Sequence, residues 1–119
     1  MRKTLGFLCA AALVLTWAAA ARPGEKTDPQ AIVRVHVDPV DGLATETARE
    51  AVEAARLNPA AVDGAADLLT KLYRCFVDGD CDLTEINPLI LTPQGKVHAL
   101  DAKVTLDDNA AYRHPEWDE

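Results

Sequence analysis

The chain of 119 residues lacks the motifs of several common functional classes. Its six glycines are dispersed, so they do not form the glycine-rich loop that cradles phosphate groups. No Ser/His/Asp or Cys/His set is arranged as nucleophilic catalysis would require. The 12 Lys and Arg residues are scattered among 19 Asp and Glu, giving a formal net charge of −7. This balance argues against a nucleic-acid or anionic-membrane surface, and we expect no nucleic-acid partner.

Cysteine is scarce as well, with three residues in the chain. Outside the N-terminal region only Cys75 and Cys81 remain, and one such pair is no disulfide framework. No histidines accompany the pair at the spacing of a zinc site. We therefore expect two free thiols, with a Cys75–Cys81 bond as the alternative if the chain is exported.

One long apolar run is present, at residues 5–21, and 15 of its 17 residues are apolar. Basic Arg2 and Lys3 precede it, an alanine-rich stretch ends it, and Arg22 and Pro23 follow directly. This order is typical of a secretory signal peptide. The run is short and rich in alanine for a spanning helix, so we expect no stable membrane span. We interpret residues 1–22 as a signal-peptide-like leader and residues 23–119 as a separate acidic body.

Two helices and a strand are predicted in the first part of the body. Residues 31–37 alternate in the manner of a half-buried strand. Thr47 and Glu50 form a possible capping box for a first helix that ends near residue 57. Asn58 and Pro59 are a second start signal, and apolar residues then recur at helical spacing to about residue 77.

A β-hairpin is predicted after the helices, with strands at residues 83–92 and 96–106. If the loop has three residues and Gly95 is left-handed, Thr92 pairs with Lys96. Asn87 then lies opposite Asp101, and Glu85 lies opposite Lys103, all on one face. A slip of one residue would separate Asn87 from Asp101. The other face is predicted to be a core side that carries Ile86, Ile90, Leu100, Ala102 and Val104.

The predicted register places an amide oxygen and a carboxylate where they could bind a hard cation. Mg²⁺ takes one or two such protein ligands and completes its octahedron with water and substrate phosphates. We therefore take Asn87 and Asp101 as candidate metal ligands, with Glu85 beside them. The alternative is purely structural, because Asn-Pro commonly ends a strand and Asp101 could pair with Lys103.

Two stretches of the chain resemble the β subunit of succinate–CoA ligase. They are residues 25–43, and residues 84–117 with the run EINPL, then PQGKVHALDAK and DDNAAYRHP. The resemblance implies the C-terminal portion of an ATP-grasp fold, an α+β arrangement of two helices packed on a small antiparallel sheet. It also implies an ADP-forming ligase that joins succinate and CoA with ATP (or GTP) and Mg²⁺. Related acyl-CoA ligases share much of the pattern.

The resemblance implies a role for each candidate residue. Asn87 and Asp101 match the magnesium ligands beneath the nucleotide phosphates, and Glu85 matches the glutamate near the phosphohistidine. That histidine belongs to the α subunit, which is the implied partner. The resemblance does not include the long N-terminal stretch that builds most of the family's nucleotide pocket, so we expect no ligase activity from this chain alone.

The leader leads to two hypotheses about location. The family works in the cytoplasm or the mitochondrial matrix, so the resemblance implies a cytoplasmic protein and a leader foreign to the family. The alternative is a small exported acidic binding protein that keeps part of the fold without catalysis.

Overall fold

The computed structural model describes residues 32–118 and the backbone of a short strand, β1 (Val14–Leu15). The remainder of the predicted leader, residues 1–22, lies outside the described residues. The helices and strands that follow are α1 (Thr45–Ala54), α2 (Val62–Asp78), β2 (Cys81–Ile86), β3 (Leu89–Leu91), β4 (Val97–Ala99) and β5 (Ala102–Leu106). Short 3₁₀ turns occupy Pro59–Ala61, Asp108–Arg113 and Pro115–Asp118.

The predicted α+β class is confirmed, and the core lies between the two helices and the sheet. Helix α1 packs against α2, and α2 packs against β2. The buried residues recur every three or four positions on α2, as expected for a helix that covers a sheet with one face. The core consists of Ala48, Val52, Leu57, Val62, Ala65, Ala66, Leu69, Leu72, Ile86 and Leu89.

The start of the second helical segment is as predicted, but the start of the first is not. Asn58 accepts a hydrogen bond from the Ala60 amide at 2.9 Å, and the 3₁₀ turn that begins at Pro59 leads directly into α2. Helix α1 begins at Thr45, so the capping box predicted at Thr47 is wrong. The Ala48 amide already donates to the Ala44 carbonyl at 3.0 Å, and this turn forms without a side-chain cap.

The strand predicted at residues 31–37 is also not observed. Residues 32–37 keep the expected alternation of exposed and covered side chains, and Val37 is buried. Within the described part of the chain, however, these residues belong to no hydrogen-bonded ladder. The alternation of apolar and polar residues indicates which side of the segment faces the core, but a strand also needs a neighbouring backbone to pair with.

The predicted hairpin is present, and its two strands are each divided in two. Strand β2 is central in a three-stranded sheet, parallel to β1 and antiparallel to β5. Strands β3 and β4 form a second, two-stranded antiparallel ladder. Gly95 has a φ of +75°, its amide donates to the Thr92 carbonyl at 2.9 Å, and the Thr92 amide donates to the Lys96 carbonyl at 2.8 Å. The three-residue loop is therefore confirmed.

The predicted core side is wrong for the second half of the hairpin. Ile86 is buried and Ile90 is half-buried, but Ala102 is exposed, and Leu100 and Val104 are 58% and 49% exposed. The reason is coverage: α2 packs against β2, while β5 lies at the outer edge of the sheet in the described part of the chain.

Among residues 32–118, no helix combines the length and apolar character needed to cross a lipid bilayer.

Candidate functional site

The candidate site lies where both hairpin strands are interrupted. On one side Glu85 pairs with Lys103 and Ile86 with Ala102, and on the other side Leu89 pairs with Ala99. From Leu83 to Leu91 one register runs through both ladders, so the interruption adds no residue to either strand; the register shifts only at the far end of β2, between Cys81 and Leu83. The predicted pairing of Glu85 with Lys103 is thus confirmed.

Backbone hydrogen bonds bridge the interruption and fix Asn87 against Asp101. The Asn87 amide donates to the Asp101 carbonyl at 3.1 Å, and the Leu100 amide donates to the Pro88 carbonyl at 3.0 Å. The peptide between Asn87 and Pro88 is cis. The structure therefore places these two residues opposite each other, as the turn chemistry predicted.

The side chains of this region line an open pocket of about 180 Å³, formed by Glu85, Asn87, Asp101, Ala102 and Lys103. Asn87, Asp101 and Lys103 are exposed, and Glu85 is half-buried. The Asp101 Oδ1 atom accepts a hydrogen bond from the Ala102 amide at 2.9 Å, which holds one carboxylate oxygen against the backbone. Three of the four polar side chains thus present oxygen atoms, and the fourth carries a positive charge.

This donor set fits part of a magnesium site. Carboxylate and amide oxygens are the ligands that Mg²⁺ prefers, and it commonly takes few of them from the protein and the rest from water and phosphate. Within residues 32–118 no group of three or more His, Cys, Asp and Glu side chains could hold a metal ion. Asn87 and Asp101 would therefore supply only part of a coordination sphere, and Lys103 would favour an anionic ligand beside it.

A second polar group, the Asp80 cluster, lies at the other end of β2 and β5 and consists of Asp80, Arg113, His114 and Glu116. Two Arg113 nitrogens contact the Asp80 carboxylate, Nη2 at 2.8 Å and Nε at 3.1 Å. The two His114 ring nitrogens contact Asp80 and Glu116, each at 2.7 Å. Trp117 stacks on the His114 ring with 4.3 Å between centroids.

The contacts of the Asp80 cluster shift the pKa values of its members. Hydrogen bonds to Glu116 and then to Asp80 raise the pKa of His114. The hydrogen bond from Arg113, followed by that from His114, lowers the pKa of Asp80. The sequence pattern alone gave His114 no role. Acidic residues flank His114 in the run DDNAAYRHPEWD, and this pattern could have indicated its contact with Glu116. Its other partner, Asp80, is distant in the sequence.

Comparison with known proteins identifies the fold of which this hairpin is a part. The ATP-grasp domain family matches residues 25–91, which is more than half of the chain. The chain belongs to the ATP-grasp family. The match includes both helices and ends in β3, so it contains Glu85 and Asn87 of the site.

Within the ATP-grasp family, the chain is similar to curated proteins named succinate–CoA ligase [ADP-forming] subunit beta. The protein from Opitutus terrae is 51% identical over 88 residues, which are 74% of this chain and 22% of that protein. The one from Bordetella petrii is 44% identical over 88 residues, 74% of this chain and 23% of the relative. The one from Thioalkalivibrio sulfidiphilus is 46% identical over 86 residues, which are 72% of this chain and 22% of that protein. The chain thus spans less than a quarter of the length of these relatives.

Proposed function

We propose that this chain supplies the magnesium-ligand hairpin of an ADP-forming succinate–CoA ligase β subunit. Asn87 and Asp101 would hold Mg²⁺ through their side-chain oxygens, beneath the phosphates of ATP or GTP. Glu85 would contact the phosphorylated histidine that carries phosphate between nucleotide and succinate. The observation that carries the proposal is the shared register, which sets Asn87 opposite Asp101 in a pocket lined by oxygen atoms.

The chemistry of phosphoryl transfer needs what these residues offer. When bound, Mg²⁺ neutralises charge on the phosphate oxygens and helps to position them for transfer. Asn87 and Asp101 lie where the strands are interrupted, and a backbone hydrogen bond joins them, so their oxygens are held with little reorganisation. Lys103, paired with Glu85 across the ladder, adds one positive charge to the same pocket.

The whole reaction would convert succinate, CoA and ATP into succinyl-CoA, ADP and phosphate. The names of the relatives support this reaction class, and the partner would be an α subunit that carries the histidine. Because the chain spans about 22% of its relatives, we propose that it does not catalyse the reaction by itself.

For location, we propose the cytoplasm, in keeping with a soluble metabolic ligase. Export of a non-catalytic acidic binding protein is the alternative, and it depends on the leader, which apart from β1 lies outside the described residues. Cell fractionation with a C-terminal tag separates the two, because a processed band outside the cytoplasm would contradict the cytoplasmic proposal.

A magnesium titration followed by amide NMR tests the metal site directly. We expect Mg²⁺ to shift the amide signals of Asn87 and Asp101, and to do so at lower concentration when ATP is present. Asp101→Asn replaces the carboxylate ligand by a neutral amide and so removes its negative charge, and apparent affinity should fall by roughly 10- to 100-fold. Asp82→Asn is the matched control, since Asp82 is an exposed carboxylate on β2 that does not line the pocket.

Two results would contradict parts of the proposal. Equal Mg²⁺ affinity for the Asp101→Asn and Asp82→Asn variants would contradict the proposed site. Succinate-, CoA- and ATP-dependent ADP formation by the chain alone, lost in Asp101→Ala, would support the site but contradict the proposed dependence on further parts of the enzyme.

A further inference from the structure

The two cysteines of the acidic body lie on either side of the turn that joins α2 to β2. Cys75 is in the last turn of α2 and is exposed, whereas Cys81 is the first residue of β2 and is buried. Both are free thiols, as the sequence led us to expect. Neither lines the candidate site.

The turn folds back tightly enough to bring the two residues into contact. The Cys75 carbonyl accepts a hydrogen bond from the Gly79 amide at 3.0 Å and another from the Cys81 thiol at 3.5 Å. A Cβ atom at Gly79 would lie 2.9 Å from the Cys75 carbonyl oxygen and 3.1 Å from the Cys81 sulfur. Any side chain at this position would therefore push the two cysteines apart.

The environments of the two thiols differ in a way that suggests an order of reaction. Burial raises the pKa of Cys81, and electrostatic and hydrogen-bond interactions with the nearby Cys75 side chain raise it further. Cys81 therefore forms a thiolate less readily than a free cysteine, and it lies away from solvent. Cys75 is open to a reagent in solution, and attack by a thiolate on a disulfide requires such access.

We propose that Cys75 and Cys81 are a thiol pair that closes to an intramolecular disulfide when a low-molecular-weight disulfide is present. In the first step the Cys75 thiolate attacks one sulfur of the reagent, forming a mixed disulfide and releasing one reagent thiolate. In the second step the Cys81 thiol loses its proton, attacks the Cys75 sulfur and releases the second reagent thiolate. The reagent gains two electrons and two protons in total, and the two cysteines lose them.

The bond would join the last turn of α2 to the first residue of β2. It would thereby fix the turn that contains Asp80, whose carboxylate contacts Arg113 and His114. The chain would then carry a covalent connection between its helical layer and its sheet under oxidising conditions and lose it under reducing ones. This inference does not depend on the proposed ligase function.

Peptide mapping of the full chain tests the proposal. No Lys or Arg lies between Arg74 and Lys96, so trypsin leaves both cysteines in one peptide, residues 75–96. The folded protein is treated with the neutral reagent 2-hydroxyethyl disulfide, alkylated with iodoacetamide and digested. We expect this peptide to lose the mass of two hydrogen atoms and to carry no alkyl group.

Several results would overturn the proposal. They are a Cys75 mixed disulfide that persists while Cys81 is still alkylated, a bond from either cysteine to Cys9, and a crosslink to a second chain. In the Cys81→Ser variant the mixed disulfide at Cys75 should persist, because the second thiol is absent.

Two comparisons test whether the fold prepares the pair. Gly79→Ala should slow ring closure while leaving formation of the mixed disulfide unchanged. Closure in the native chain should also be faster than in chain unfolded by urea, and this second comparison holds even if the Gly79 variant does not fold. Closure that is equally fast in urea would contradict a pre-arranged pair.

Discussion

The two ends of the ladder between β2 and β5 are held in opposite ways. At one end, the side chains of the Asp80 cluster satisfy one another, because Arg113 and His114 both contact the Asp80 carboxylate. At the other end, Asn87 and Asp101 are fixed by a backbone hydrogen bond, and their side chains are exposed.

This difference separates a structural polar group from a candidate binding site. Charged groups that are already paired within the protein can make few further contacts with a ligand. Exposed side-chain oxygens on a rigid backbone are free to bind one. The site end must therefore be stabilised by something other than its own polar side chains. The closest candidate is Leu89, which is fully buried two residues after Asn87.

The largest expected effect is that of Leu89→Ala, which tests whether core packing stabilises the site end. Removing a fully buried leucine side chain should lower the free energy of unfolding by about 3 kcal/mol, through lost burial and a residual cavity. Urea unfolding measures the change. Leu100→Ala is the matched control, since Leu100 is 58% exposed and its loss should cost less than about 0.5 kcal/mol. Similar losses for the two variants would show that packing does not distinguish these positions.

A smaller effect is expected at Thr84, which lies on β2 between the two ends. Its side chain is 2% exposed, and its buried Oγ1 atom has no hydrogen-bond partner among residues 32–118. Thr84→Val removes this unsatisfied hydroxyl and should raise the free energy of unfolding by about 1 kcal/mol. Thr105→Val on the exposed strand β5 is the control, and it should change stability little. A loss of stability in Thr84→Val would indicate that the hydroxyl has a partner in solution.

The smallest expected effect is a pH dependence of the stability that His114 contributes to the Asp80 cluster. A neutral imidazole has one N–H group, so His114 can donate to both Asp80 and Glu116 only when protonated. Because the pKa of His114 is raised above 6.5, its contribution is complete below that pH and is lost as the pH rises through the folded-state pKa. The carboxyl pKa values of Asp80 and Glu116 are lowered, so their contribution is lost only in acid, below about 4.

Urea unfolding at pH 6 and pH 8.5 checks this expectation. The stability advantage of the natural chain over His114→Gln should be larger at pH 6. His98→Gln is the control, because His98 is an exposed histidine on β4. An advantage that is equal at the two pH values would contradict a charged His114 in the cluster.

The sequence predicted local features well where turn chemistry decides them. Gly95 selects the three-residue loop, and that loop determines the pairing of Asn87 with Asp101 five or more residues away. Asn58 likewise caps the turn that begins the second helical segment. In each case a single residue type restricts the backbone, so no knowledge of the rest of the fold is required.

Features that depend on distant parts of the chain were predicted less well. Alternation suggested that Leu100 and Val104 face a core, but whether a side chain is covered depends on where α2 lies. The contacts of Asp80 with Arg113 and His114 join residues 33 and 34 positions apart. Charge signs alone do not select such partners among 19 acidic and 12 basic residues.

The loop of Pro93, Gln94 and Gly95 has a consequence for how this hairpin can change in evolution. Surface loops generally tolerate insertions and deletions, because they carry few contacts. One added residue here would shift the second strand by one position and turn Asp101 to the opposite face from Asn87. On the proposed function, the length of this exposed loop is therefore under the same selection as the site, although no loop residue lines the pocket.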